Sequence, residues 1–196
     1  MKKYDYIVNE TKNSNLWNAI KNNDLKFVEQ YAENNSLNFH YRNITPLIRA
    51  CYNNNQDMVI LMLRKGADIE FRDIYNYTPL ENVVYYNMIN MIKLLLENDA
   101  NPNIDIELFM MNNINKKSIR LLYEYGMKYK YFNIKHNIHK FFDIIKDFDF
   151  DLSSKNELGR DIIEDLDKKT LQKFKEKYPK KYKKYLIKKQ AKKFNI

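Results

Sequence analysis

The sequence predicts an all-α protein in which short helix–turn–helix repeats stack side by side and a basic helical tail follows them. Three observations support this fold class. The segment Asn43–Leu47 (NITPL) recurs 33 residues later as Asn76–Leu80 (NYTPL). Apolar residues around both copies recur at steps of three and four, which is the spacing of one face of a helix. The chain has only 3 Gly, too few for a Gly-rich phosphate loop or for the tight turns of an all-β fold.

The 33-residue shift continues beyond these two segments. It pairs Leu61–Leu63 with Leu94–Leu96, and Gly66–Asp68 with Asp99–Asn101. In each copy the Thr is placed to cap a helix, and the Pro after it suits the first helical turn, where an N–H has no partner. Each copy therefore predicts an inner helix that begins at the Thr-Pro pair, then a turn and an outer helix.

The first copy also predicts how its helices pack. We expect Leu47, Ala50 and Cys51 to fill the core of the inner helix, with small residues because neighbouring helix pairs approach closely. Gly66 should end the outer helix with a positive φ angle. The apolar stripe of the outer helix is predicted to consist of Val59, Leu61, Met62 and Leu63.

The Thr-Pro-Leu frame and its period resemble the ankyrin repeat family. The best matches to the family pattern are residues 40–72 and 73–104. This resemblance implies an ankyrin-repeat solenoid and a role in binding partner proteins. The sequence contains no Walker loop, G-x-S-x-G or H-E-x-x-H motif, so we expect neither enzymatic activity nor a cofactor. The richness of the chain in Asn, Lys, Ile and Tyr is similar to that of ankyrin proteins from large DNA viruses, protozoa and intracellular bacteria, which often act on host proteins.

Outside the two best matches the pattern is weaker. Residues 14–39 keep the spacing of a helix pair without the Thr-Pro-Leu motif, which is typical of a capping repeat. Downstream, Leu121–Gly126 matches Leu94–Asp99, and residues 105–167 predict shortened repeats. We therefore expect a domain of about five repeats over residues 1–167.

The positive charge of the chain is concentrated in a separate C-terminal segment. Residues 168–196 contain 13 Lys and one acidic residue, Glu176, and thus carry a net charge of +12. Since the whole chain carries +9, residues 1–167 carry −3. Apolar residues at helical spacing predict one or two amphipathic helices, interrupted near Pro179.

Three interpretations of this Lys-rich tail remain open. It is a helical cap that closes the last repeat with Leu171 and Phe174, or a nucleic-acid-binding or nuclear-targeting patch, or a membrane-surface helix. The patch would consist of Lys180, Lys181, Lys183, Lys184, Lys188 and Lys189.

Tyrosines occupy the positions that ankyrin repeats use for binding. In that family the turn tips before each Thr-Pro-Leu motif and the outward positions of the inner helices line one concave surface. Tyr offers a large amphipathic contact surface with little rotamer entropy to lose. The alternative is that the composition of the chain, with 16 Tyr, explains the cluster, or that some rings pack between repeats. The predicted binding residues are Tyr41, Arg42, Tyr52, Asn53, Tyr75, Tyr77, Tyr85 and Tyr86.

Candidate chemical groups are few. His136 and His139 have the spacing of two metal ligands on a helix, but no suitable third ligand accompanies them, so we expect no metal site. The alternating acids from Asp147 to Asp151 lack the Gly and Glu of a calcium loop. The repeat position of Cys51 predicts a buried structural thiol and not a nucleophile.

The sequence therefore predicts a non-enzymatic protein that binds a partner protein through the Tyr-rich face. The competing hypothesis is a nucleic-acid-associated or nuclear-targeted protein that acts through its basic tail. No apolar run reaches the length of a membrane span, and a single Cys fits a reducing compartment. We thus expect a soluble intracellular monomer, in the cytoplasm or nucleus.

Overall fold

The computed structural model describes residues 2–104, 115–127, 161, 163–164 and 166–194, with side chains from residue 10 to residue 193. These residues form two compact units, Met1–Ile104 and Asp105–Ile196. They contain nine α-helices and no strand, apart from an isolated bridge between Tyr41 and Ile44, which confirms the predicted all-α class. The helices are α1 (Lys2–Lys21), α2 (Leu25–Asn34), α3 (Pro46–Tyr52), α4 (Gln56–Arg64), α5 (Pro79–Tyr85), α6 (Ile89–Glu97), α7 (Lys116–Glu124), α8 (Lys168–Lys177) and α9 (Pro179–Phe194).

The first unit is a stack of three helix pairs. Helix α1 pairs with α2, α3 with α4, and α5 with α6. The inner helices α1, α3 and α5 contact one another in order, and the outer helices α2 and α4 are also in contact. Between the two helices of each pair the chain turns through a left-handed residue, namely Asn23, Asn54 and Asn87 with φ angles of 58°, 53° and 54°. This arrangement is the repeat stack that the sequence predicts.

The Thr-Pro pairs begin the inner helices as predicted. Thr45 accepts a hydrogen bond from the Ile48 amide at 3.2 Å, and Pro46 occupies the first helical position. In the second copy the Thr78 hydroxyl accepts from the Glu81 amide at 3.1 Å, and the Glu81 carboxylate accepts from the Thr78 amide at 2.7 Å. The second copy therefore has a complete capping box, which satisfies two helix-end amides and not one.

The core lies between the inner and outer helices. Leu47, Ala50 and Cys51 are fully buried, as the sequence predicts. On the outer helix the buried side chains are Met58, Val59 and Met62, whereas Leu61 and Leu63 are only half-buried. The buried face of α4 is thus set by the three- and four-residue steps from Met58 and Val59, and the two leucines lie at its margins.

Helices α4, α6 and α7 end in the same way. After α4, the Ala67 amide donates to the Met62 carbonyl at 2.9 Å, and Gly66 has the predicted positive φ angle, at 89°. The Ala100 amide donates to the Leu95 carbonyl after α6 at 3.0 Å, and the Met127 amide to the Leu122 carbonyl after α7 at 2.9 Å. These bonds span five residues, as in the Schellman motif. The predicted likeness of Leu121–Gly126 to the end of the preceding copy is therefore confirmed.

The second unit contains the basic tail as two helices, α8 and α9, which separate at Pro179 as predicted. Phe174 is buried, and Leu171 is half-buried. Tyr185 of α9 is also buried, and its hydroxyl donates to the two carboxylate oxygens of Asp161 at 3.0 and 2.8 Å. This buried contact holds the tail helix against the segment at Asp161.

Some sequence predictions fall outside the described residues. Most of the shortened repeats of residues 105–167 do so, and the same is true of His136, His139 and the acids from Asp147 to Asp151. The domain boundary after Asp167 stays a prediction.

We expect Thr78→Ala to destabilise the first unit by about 1–2 kcal/mol, because it removes the hydroxyl half of the capping box. Unfolding in urea is followed by the fluorescence of Trp17, the only Trp of the chain, which lies in this unit. Thr78→Ser keeps the hydroxyl and serves as the matched control. An equal loss of stability in both variants would contradict the assignment.

Candidate protein-binding surface

A buried carboxylate organises the turn tip before the second Thr-Pro-Leu motif. Asp73 Oδ1 accepts hydrogen bonds from the amides of Tyr75 and Tyr77, both at 2.9 Å. Asp73 Oδ2 accepts from the Asn82 side chain of helix α5 at 3.1 Å. With Asp73 fixed in this way, the Ile74 and Tyr75 side chains lie in solvent, 53% and 63% exposed. Sequence analysis missed Asp73, although its position in the loop before Thr78 is typical of a side chain that bonds to backbone amides.

Consecutive tips are linked through the backbone. The Ile74 amide donates to the carbonyl of Asn43 in the preceding tip at 3.3 Å. Both tips use left-handed residues, with φ angles of 50° at Arg42, 73° at Asn43 and 69° at Asn76. The tips therefore form a connected edge beside the inner helices.

The C-terminal ends of helices α3 and α5 carry a cluster of tyrosine rings. Tyr52 meets Tyr86 edge to face, with ring centroids 5.4 Å apart, and Tyr86 meets Tyr85 at 4.9 Å. Tyr85 and Tyr86 are 40% and 58% exposed, and neither is part of the core. Edge-to-face pairs of this kind hold aromatic side chains in defined positions. We call Tyr52, Ile74, Tyr75, Tyr85 and Tyr86 the tyrosine face.

Tyr52 differs from the other members because it also connects two repeats. Its side chain is half-buried, and its hydroxyl donates to Asn82 Oδ1. Burial, together with the nearby Tyr86 and Asp73, raises the pKa of Tyr52 above its usual value. Tyr52 therefore remains a neutral hydrogen-bond donor at physiological pH.

The other predicted binding residues lie at different depths. Tyr77 and Tyr41 are half-buried, and the Tyr41 ring meets Trp17 edge to face at 5.1 Å. Arg42 is exposed, with its guanidinium 5.4 Å from the centroid of the Tyr41 ring. Asn53 is exposed, and its amide donates to the Ile20 carbonyl at 3.1 Å. Among the eight predicted binding residues, the exposed tyrosines are therefore Tyr75, Tyr85 and Tyr86.

The predicted basic patch lies on helix α9. Lys180, Lys183, Lys184 and Lys188 are exposed, and Lys181 is half-buried. Lys189 forms ion pairs with Asp161 Oδ2, at 3.3 Å, and with Glu164. Hydrogen bonds to Glu164 and Tyr185 raise the pKa of Lys189 above its usual value. Lys189 thus helps to hold the helix in place.

Cys51, the one cysteine of the chain, is buried. Burial raises the pKa of the Cys51 thiol to about 12, which keeps it protonated and unreactive as predicted. No group of three or more His, Cys, Asp and Glu side chains within the described ranges is arranged to hold a metal ion. Nor does any helix described here have the length and apolar character needed to cross a membrane.

Comparison with known proteins identifies the repeated unit. A family model described as "Ankyrin repeats (3 copies)" matches residues 16–106, the region of the three stacked helix pairs. Residues 16–106 are ankyrin repeats. This confirms the resemblance drawn from the Thr-Pro-Leu frame, and ankyrin repeats are generally modules for protein–protein interaction.

Curated relatives match parts of the chain. An ankyrin repeat protein of Fowlpox virus is 30% identical over 73 residues, which are 37% of this chain and 15% of the relative. An ankyrin repeat protein of Acanthamoeba polyphaga mimivirus is 28% identical over 90 residues, 46% of this chain and 52% of the relative. The B-cell lymphoma 3 protein homolog of Mus musculus is 40% identical over 65 residues, 33% of this chain and 14% of the relative. The chain therefore spans about half or less of the length of these relatives.

We expect Tyr52→Phe to lower the free energy of unfolding of the first unit by about 1 kcal/mol, since Asn82 Oδ1 loses its donor. The measurement is urea unfolding followed by Trp17 fluorescence. Tyr75→Phe is the control, because the Tyr75 side chain is largely exposed and its loss of a hydroxyl should leave stability unchanged. Equal stability of the two variants would show that the Tyr52 hydroxyl has no structural role.

Proposed function

We propose that residues 16–106 bind a partner protein through the tyrosine face. The observation that carries this proposal is the exposure of Ile74, Tyr75, Tyr85 and Tyr86 on a folded repeat stack. The Tyr86 ring is in contact with the ring of Tyr52 in the preceding repeat. Rings that are fixed by edge-to-face contacts lose little entropy when a partner covers them. Exposed side chains of this size add nothing to the core, so a binding role accounts for their position.

The proposal extends to the origin of the partner. Two of the relatives are viral ankyrin repeat proteins, from Fowlpox virus and from mimivirus. We infer that the partner is a protein of a host cell and that the interaction takes place inside that cell, in its cytoplasm or nucleus. The free, buried Cys51 thiol is compatible with such a reducing compartment.

The double variant Tyr85→Ala/Tyr86→Ala should lower the affinity for the partner at least about tenfold, because interface tyrosines often contribute more than 1 kcal/mol each. Proteins captured from host-cell extract by the full chain and by the variant are compared by quantitative mass spectrometry, and the affinity for the captured protein is then measured.

The matched control for this experiment is Tyr125→Ala, an exposed tyrosine in the second unit. It should capture the same protein as the unchanged chain. Circular dichroism is used to check that the double variant is folded. If the double variant captures the same proteins with the same affinity, the tyrosine face is not the binding surface.

A second candidate function concerns the basic tail. Lys180, Lys183 and Lys184 are exposed on helix α9, within a segment of net charge +12. We propose, as the alternative function, that this surface contacts the phosphates of a nucleic acid. Each phosphate that a lysine neutralises releases a counterion, so such binding falls steeply with salt.

The triple variant Lys180→Gln/Lys183→Gln/Lys184→Gln should flatten the slope of log K against log salt by about 2–3 for binding to a short duplex DNA. Binding is measured by fluorescence anisotropy between 50 and about 200 mM salt. The charge-matched control, Lys21→Gln/Lys26→Gln/Lys93→Gln, changes exposed lysines of the first unit. An unchanged slope in the tail variant would exclude this function.

A further inference from the structure

A second surface feature lies on the inner helices beside the tyrosine face. We call Trp17, Tyr41, Arg42 and Arg49 the arginine cluster. Trp17 and Tyr41 are in edge-to-face contact, and each ring has a guanidinium near its face. Arg42 Cζ is 5.4 Å from the centroid of the Tyr41 ring, and Arg49 Cζ is 5.8 Å from that of the Trp17 ring. Two cations are thus positioned by aromatic rings.

Neither cation of the arginine cluster has an acidic partner within 4.0 Å in the described part of the chain. Arg49 Nε is in addition buried without a hydrogen-bond acceptor there. Other cations of the first unit are paired, for example Arg72 with Glu81 and Lys65 with Glu29. The arginine cluster therefore has positive charge and N–H donors that the fold leaves unused.

The arginine cluster and the tyrosine face are continuous. Arg49, Tyr52 and Asn53 are spaced by three and four residues on helix α3, and so share one side of that helix. Tyr52 in turn contacts Tyr86 of the next repeat. The surface therefore runs from two arginines on the capping-repeat side to exposed aromatic rings on the other side.

The two ends of this surface differ in charge. Asp73 lies near Tyr52, because the Asn82 side chain hydrogen-bonds to both. The Asp73 oxygens are already occupied by two amides and Asn82. An anionic group is therefore disfavoured beside Tyr52 and favoured beside Arg49 and Arg42. A partner that matches this pattern is negative at one end and apolar at the other.

We propose that the partner protein presents an Asp or Glu carboxylate to Arg42 and Arg49, next to apolar or aromatic side chains that cover the tyrosine face. This inference rests on the proposed function and specifies the chemistry of the bound segment. A bond between guanidinium and carboxylate is charge-assisted and geometrically specific. A protein segment fits better than a polyanion, because residues 1–167 carry a net charge of −3.

The test uses a displayed library of random linear peptides, selected on the full chain. We expect the selected peptides to share one acidic position and a fixed spacing from it to apolar or aromatic residues. In a representative peptide, changing the acidic residue to its amide should lower affinity by about tenfold, the size of one hydrogen bond to a charged group.

Arg49→Gln or Arg42→Gln should remove most of that discrimination between acid and amide, which a double-mutant cycle measures and which assigns the carboxylate to one guanidinium. Arg42 is exposed at a turn tip, so its substitution keeps the test valid if Arg49→Gln does not fold. Arg64→Gln changes an exposed arginine of the outer helix α4 and should leave the discrimination intact. Trp17 fluorescence should change on binding, because Tyr41 and Arg49 lie against this ring.

The outcomes separate this inference from the proposed function. If selected peptides bind in a manner that requires Tyr85 and Tyr86 but show no acidic preference, or one that Arg42→Gln and Arg49→Gln leave unchanged, the acidic-segment inference is wrong and the tyrosine face stands. If no peptide is selected, the acidic-segment inference is wrong, and the capture experiment with Tyr85→Ala/Tyr86→Ala decides the proposed function. If binding survives Tyr85→Ala/Tyr86→Ala, both are overturned.

Discussion

The candidate binding residues at the second turn tip are positioned by the way in which helix α5 begins. The Thr78 hydroxyl accepts a hydrogen bond from the Glu81 amide, and the Thr78 amide donates one to the Glu81 carboxylate. The same carboxylate pairs with Arg72 at 3.2 Å. Glu81 is buried, so its charge is stabilised only while this geometry is kept. The cap therefore fixes the start of helix α5, and through Asn82 it fixes Asp73 and the turn tip above it. Because the Tyr75 amide is bonded to Asp73 in this network, the Tyr75 side chain lies in solvent and not in the core.

The parts of the fold that depend on the local chemistry of single residues could be predicted from the sequence. Thr45, Thr78 and Gly66 could be assigned because capping and positive φ are properties of single residues in a known local frame. The small core residues Ala50 and Cys51 were predictable for a similar reason, since close helix packing excludes larger side chains. The periodicity around Val59 located the outer helix but not its exact buried face, because Leu61, Leu63 and their neighbours are all apolar.

The candidate surface was only partly predictable, because its contacts cross from one repeat to the next. Tyr85 and Tyr86 follow from their repeat positions. Tyr52 stands in the same position, yet it is half-buried because Asn82 and Tyr86 of the next repeat reach it. The position of Arg49 gives no signal in the sequence, since it depends on contact with the Trp17 ring of helix α1. Such partners are set by the register of stacking, which no single repeat encodes.

The left-handed turns carry a consequence for the unfolded chain. Asn23, Asn54 and Asn87 hold a conformation between paired helices that glycine adopts most easily. Asparagine tolerates this conformation and has less freedom than glycine before folding, so less backbone entropy is lost when each turn forms. Asparagine at these three turns thus lowers the entropic penalty of pairing the helices on either side. The turns between the helix pairs therefore favour the folded array through the unfolded state, although they contribute little to the core.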